Sequence, residues 1–244
     1  PVSAAAVRVA MTRHTFPFGC AVPAWRMLDA SPDNHRFRNV LTSLFNAASW
    51  ENILKMPAWQ GDWGENYTRD IARRAQQWLT DNGMSNDVRG HCLVWPAERH
   101  LSRRVNSLRH DTNAFQKAIL NHIDDVTVAT RSFVTEWDVI NEVYYNHDAL
   151  DLCGKHVMVN WFERARRNLP DADLYLNENA LLPRLEDGEK HDHLDETVAY
   201  LLEIRQRVRA FERGDDAFEA AQPLECCNGL VIENVIVFYA AFIV

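Results

Sequence analysis

The sequence predicts a parallel α/β fold of the (β/α)8 TIM-barrel type, and three features support this. Strand-like and helix-like segments alternate about five times, the rhythm of a parallel sheet wrapped by helices. Several strand-like runs end abruptly in polar or charged residues, and such barrels present chemistry from the C-terminal ends of their strands. The length, 244 residues, fits one barrel domain. About five βα units are recognisable where a barrel needs eight strands. The barrel is therefore expected to be partial, with residues 1–209 forming the barrel portion and residues 210–244 a divergent tail.

Residues 7–11 alternate apolar and polar side chains and read as a short strand. Residues 16–22 (FPFGCAV) form the first barrel-strand candidate. Ser31-Pro32-Asp33 opens a helix, with a capping Ser, Pro in the first turn and an acid behind it; the helix runs to about Leu44. Residues 45–50 (FNAASW) read as the second strand, followed by Glu51-Asn52 and then Lys55. Residues 68–82 have helical spacing, with Ile71, Ala75, Trp78 and Leu79 on one face and Asn82-Gly83 as the stop. Residues 88–95 (VRGHCLVW) form the third strand, stopped by Pro96. Regular alternation would place His91, Leu93 and Trp95 on one face and Cys92 and Val94 on the other.

A helix over 113–128 leads to the fourth strand, 133–142, an apolar, β-branched run that stops at Asn141-Glu142. A helix over 155–168, closed by Pro170, precedes the fifth strand, 173–177 (DLYLN). Residues 193–211 read as a long amphipathic helix. Beyond it the chain turns acidic and turn-like, then apolar and β-branched from Leu230, with Glu233-Asn234 as the sole polar pair of that run. The apolar run is too short for a membrane span.

The formal net charge of -8 argues against nucleic acid, which wants a basic face. It leaves a neutral polysaccharide open, and eight Trp offer flat rings that can stack on sugars or simply fill a core. The five Cys have no metal-site spacing and read mostly as buried free thiols. His191-Asp192-His193 lies at a polar helix start without a third ligand, so neither metal nor cofactor is expected. No signal peptide is visible, and the lack of an initial Met reads as a piece of a longer chain.

Glu51, Asn52 and Lys55 can grip sugar hydroxyls or be a solvated helix start. His91 inside a strand is either a satisfied structural residue or a ligand-facing one. Asn141-Glu142 is either a solvated strand end or an acid/base with its neighbour. Together with Trp95, these residues put polar groups at the ends of successive strands, which is what a barrel active site requires.

Five stretches resemble glycoside hydrolase family 10, the β-1,4-xylanase family. They are Phe18-Gly19-Cys20-Ala21-Val22, Phe45-Asn46 through Glu51-Asn52-Ile53-Leu54-Lys55, Arg89-Gly90-His91-Cys92-Leu93-Val94-Trp95, Trp137-Asp138-Val139-Ile140-Asn141-Glu142 and Leu174-Tyr175-Leu176-Asn177-Glu178-Asn179. The resemblance covers about residues 7–208, with Pro96 standing where many members have His. It implies retaining hydrolysis of xylan, with Glu142 as acid/base and Asn141 on the sugar 2-hydroxyl. Glu51, Asn52, Lys55, His91 and Trp95 would form the glycone-side wall.

The family's sixth-strand pattern and its nucleophile motif, Ile-Thr-Glu-Leu-Asp on the seventh strand, are both missing from this sequence. Glu233 is the one Glu in a strand-like run downstream. The chain is thus expected to be incomplete at its C-terminal end and weak or inactive as a retaining hydrolase. Two other outcomes are a non-catalytic carbohydrate-binding remnant and an unstable partial barrel. A xylan-directed protein is expected to be secreted, because xylan lies outside the cell.

Overall fold

The computed structural model describes residues 8–10, 16–84, 88–178 and Leu202. Five parallel strands form one sheet in sequential order: β1 (Gly19–Val22), β2 (Ala47–Trp50), β3 (Val88–Val94), β4 (Glu136–Asn141) and β5 (Asp173–Asn177). Helices α1 (Ala24–Leu28) and α2 (Pro32–Leu44) connect β1 to β2, and α3 (Met56–Trp59) and α4 (Arg69–Asp81) connect β2 to β3. Next come α5 (Arg103–Asn106) and α6 (Thr112–Thr130), then α7 (Asp148–Cys153) and α8 (Val157–Asn168). Sequential parallel strands joined by helical crossovers make this part of a (β/α)8 barrel.

The helix starts follow from side-chain chemistry. Ser31 Oγ accepts from Asn34 N (3.4 Å) ahead of α2, and Thr68 Oγ1 accepts from Ile71 N (3.2 Å) ahead of α4. Asp111 Oδ1 accepts from Asn113 N and Ala114 N (3.1 and 3.0 Å) at α6. Each bond satisfies an N–H that the first turn would leave orphaned. The strands bury both faces, as parallel strands do. Val88, Leu93, Val94, Trp137, Val139 and Ile140 are fully buried, packed with Phe115, Ile119 and Ile123 of α6 and Trp161 of α8.

Polar ties lock the helix layer over this core. Asp125 accepts from Trp59 Nε1 and Arg69 Nη1 (both 3.0 Å). Asp124 accepts from Arg164 Nη1 (2.7 Å) and Asn168 Nδ2 (2.8 Å).

Several expectations need correction. Phe133 and Val134 are not in the fourth strand: their N–H groups both donate to Thr130 O (3.0 Å), so they belong to the exit turn of α6. β3 ends at Val94, before Trp95, and residues 8–10 form no strand. Helices α1, α3, α5 and α7 were not foreseen, because four to six residues are too few to show a helical period. The helix over 193–211, His191-Asp192-His193, Cys226, Cys227, Glu233 and the boundary at 209 fall outside the described residues, apart from Leu202.

The strand register slips where it matters for the site. From His91 to Val94, β3 takes three steps while β4 takes two, from Asp138 to Ile140. Over those two steps β5 takes one, from Tyr175 to Leu176. Each extra residue reverses the facing of the residues after it. The simple alternation expected for β3 therefore fails, and Leu93 is buried while His91 and Trp95 are partly exposed. Asp138 and Asn141, three apart on β4, pair with Tyr175 and Asn177, two apart on β5, so the two β4 side chains share a face.

Candidate active site

Glu142 is the first residue past β4. Its φ of 52° lies in the left-handed region, which a Glu rarely adopts. Both of its backbone polar groups are held: its N–H donates to Asn177 O (2.7 Å), and its C=O accepts from Asn146 Nδ2 (2.8 Å). The side chain is half-buried, and its pKa is raised, first by burial and then by the charge of Glu178. His91, Lys55 and Arg99 pull the other way. Glu178 follows β5, is 1% exposed and accepts from Tyr144 N (2.9 Å). Asn141, also 1% exposed, accepts from Asn177 Nδ2 at its Oδ1 (2.7 Å), while its Nδ2 has no partner among the described residues.

Below Glu142, Asp138 is a buried hub. It accepts from Arg89 Nε (3.1 Å) and lies 2.8 Å from His91 Nδ1. The carboxylate can only accept, so the His91 proton sits on Nδ1 and Nε2 faces away from this bond. Burial would raise the Asp138 pKa, but the His91 hydrogen bond and the Arg89 charge bring it below the usual carboxylate range.

The β2 end contributes the opposite wall. Lys55 Nζ donates to Asn52 Oδ1 (2.9 Å) and sits 4.9 Å from the Trp95 ring centroid. Burial lowers the Lys55 pKa, countered by Cys92, Glu51 and Glu142. The Trp95 ring stacks on His100 at 3.6 Å and 13°, and its Nε1 has no partner among the described residues. Glu51 is exposed and, with Asn52, lines a small depression that also includes Trp25 and Tyr67.

Lys55, His91, Trp95, Asn141 and Glu142 thus come from three strand ends to one place, with Asn52 bound to Lys55 and Glu51 at the margin. A half-buried carboxyl with a raised pKa can deliver a proton, and the lysine, the imidazole and the unused Asn and Trp donors can bind hydroxyls. Reading the sequence missed the parts played by Asp138, Glu178, Asn146, Arg99 and His100. For Glu178 a signal existed: Asn177-Glu178 repeats Asn141-Glu142 at the next strand end. Asn146, Arg99 and His100 lie in loops, where no period marks them.

The sequence matches the family described as Glycosyl hydrolase family 10 over residues 7–206. It is 30% identical over 184 residues to Endo-1,4-beta-xylanase A of Cellvibrio japonicus, covering 67% of this chain and 28% of that protein. It is 29% identical over 179 residues to Anti-sigma-I factor RsgI6 of Acetivibrio thermocellus, covering 73% of this chain and 22% of that one. The chain therefore spans about a quarter of the length of these relatives. Xylanase 10B from Thermotoga petrophila RKU-1, solved with xylobiose, shares the fold with a TM-score of 0.62 at 20% identity, over 78% of this chain and 55% of that one. With the family match running from before β1 to beyond β5, this chain belongs to glycosyl hydrolase family 10.

Proposed function

We propose that this chain forms the glycone-side portion of a xylan-directed cleft in which Glu142 is the acid/base. Asn141 bonds the sugar 2-hydroxyl, and Glu51, Asn52, Lys55, His91 and Trp95 line the wall. The reading is carried by Glu142 itself: a half-buried carboxyl at a strand end, pKa raised, beside a buried amide with an unused N–H donor. In a retaining reaction such a carboxyl protonates the leaving oxygen while a second carboxylate about 5–5.5 Å away attacks the anomeric carbon. The family's nucleophile motif is missing from this sequence, so hydrolysis by this chain is expected to be weak or absent; Glu233, the one Glu in a strand-like run downstream, lies outside the described residues. A xylan substrate implies a protein that works outside the cell. Among the described residues no helix is long and apolar enough to cross a membrane.

A second reading, carbohydrate binding without turnover, is favoured by one relative being named as an anti-sigma factor and not as a hydrolase. Calorimetry with xylooligosaccharides, paired with chromatography of products, separates the readings. Binding in both the native chain and Glu142→Gln, with little product from either, supports a binding cleft. Product that disappears in Glu142→Gln establishes turnover and directs the search for the nucleophile to Glu233. Absence of binding at any oligosaccharide length overturns both.

A further inference from the structure

The loop after β3 makes a 3-10 turn, Glu98–His100, that touches two walls of the site at once. Arg99 Nη2 donates to Asn146 Oδ1 (2.6 Å), and Asn146 Nδ2 donates to the Glu142 carbonyl (2.8 Å). Next along the turn, His100 stacks on Trp95. Arg99 Nε donates to His100 Nε2 (3.1 Å), so that imidazole is neutral with its proton on Nδ1. Burial and the Arg99 and Lys55 charges hold its pKa down at about 4, in keeping with that bond. Two further bonds seat the post-β3 loop against the first turn of α7, which follows the segment that carries Glu142: Glu98 N to Asp148 Oδ2 (2.7 Å) and Ala149 N to Pro96 O (2.9 Å).

Asn146 is 2% exposed, and both ends of its amide are used. It sits four residues past Glu142, whose left-handed backbone is intrinsically unfavourable and must be fixed from outside. The N–H side is fixed by Asn177 O; on the C=O side the hold is Asn146, itself oriented by Arg99.

We propose that Arg99 and Asn146 are positioning residues for Glu142: the pair holds the acid/base in its left-handed seat and, through His100, couples that seat to the placement of Trp95. The proposal rests on Glu142 being the acid/base, and its test does not require turnover.

The Glu142 carboxyl is followed by NMR on 13C-glutamate-labelled protein, its resonance assigned by disappearance in Glu142→Gln. Four groups act on this carboxyl: Glu178 raises its pKa, and His91, Lys55 and Arg99 lower it. Asn146→Ala changes no charge. Released from its seat, the side chain becomes better hydrated, so its midpoint should fall by at least about half a pH unit toward the ordinary value. Arg99→Lys keeps the charge but loses the planar fork that reaches Asn146 and His100 together, and it should move the midpoint the same way.

A folded Asn146→Ala protein whose Glu142 titrates as in the native chain overturns the proposal. So does an unmoved midpoint in Arg99→Lys alongside a raised one in Arg99→Ala, since that is a charge effect alone. If Asn146→Ala does not fold, the Arg99 pair decides. Failure of oligosaccharide binding would remove the proposed function and leave this titration result standing.

Discussion

Two carboxyls in the site are shifted in opposite directions, and their effects on stability have opposite signs. Glu142 has a raised pKa, so its contribution is full below the ordinary value of 4.5 and is lost as pH rises through the higher folded value. Glu142→Gln, neutral at all pH, should melt above the native protein at pH 7, with the gap closing below about pH 4.5; thermal melts across this range check it. Asp138 has a lowered pKa, so its contribution is full above the ordinary 3.8 and is lost as pH falls through the lower folded value. Asp138→Asn takes a buried carboxylate from Arg89, whose contact with Glu136 is longer, at 3.7 Å. Breaking such a buried pair should cost about 3 kcal/mol at neutral pH, read from the denaturant midpoint, and the difference should vanish in acid.

The elements show how far the sequence could be read. The start of α2 was legible from Ser31-Pro32-Asp33, because local chemistry sets helix starts, and α4 was legible from the apolar face of Ile71, Ala75, Trp78 and Leu79. β5 was legible to the residue because leucine and tyrosine side chains run between polar ends. The register slips in β3 and β4 were not legible, because pairing across strands decides them and no single strand carries that information. They are the reason why Asp138 and Asn141 meet on one face. Glu142 stood out as a candidate only when several strand ends were taken together, and its hold by Asn146 depends on loop contacts.

Packing at the β3–β4 contact offers a sharp test. A Cβ at Gly90 would come within 2.5 Å of the Trp137 ring, which is fully buried and cannot swing away. Gly90→Ala should therefore cost at least about 2–3 kcal/mol, measured by urea unfolding. Thr68→Ala removes the cap of α4 and should cost about 1 kcal/mol without altering the site; far-UV circular dichroism during unfolding reads it.

At the scale of the whole molecule, the core runs without a break from α1 to β5, and Phe115 sits in it with no exposed surface. Phe115→Ala should cost about 3–5 kcal/mol. If the five-stranded unit unfolds as one cooperative body, tryptophan fluorescence and circular dichroism will shift together to the same midpoint. Separate midpoints would support the unstable partial barrel. In that sheet β1 and β5 each pair with a single strand among the described residues, which leaves the barrel closed by nothing the described chain supplies.

The left-handed turn at Glu142 also bears on how this protein would evolve. A glycine or an asparagine accepts that backbone more readily than a glutamate does, yet neither can serve as the proton donor. Selection for heat tolerance alone would therefore favour replacing the residue proposed as the acid/base. A library screened for folding and not for turnover should lose Glu142 early, and its persistence under such a screen would show that its neighbours make the glutamate the more stable choice.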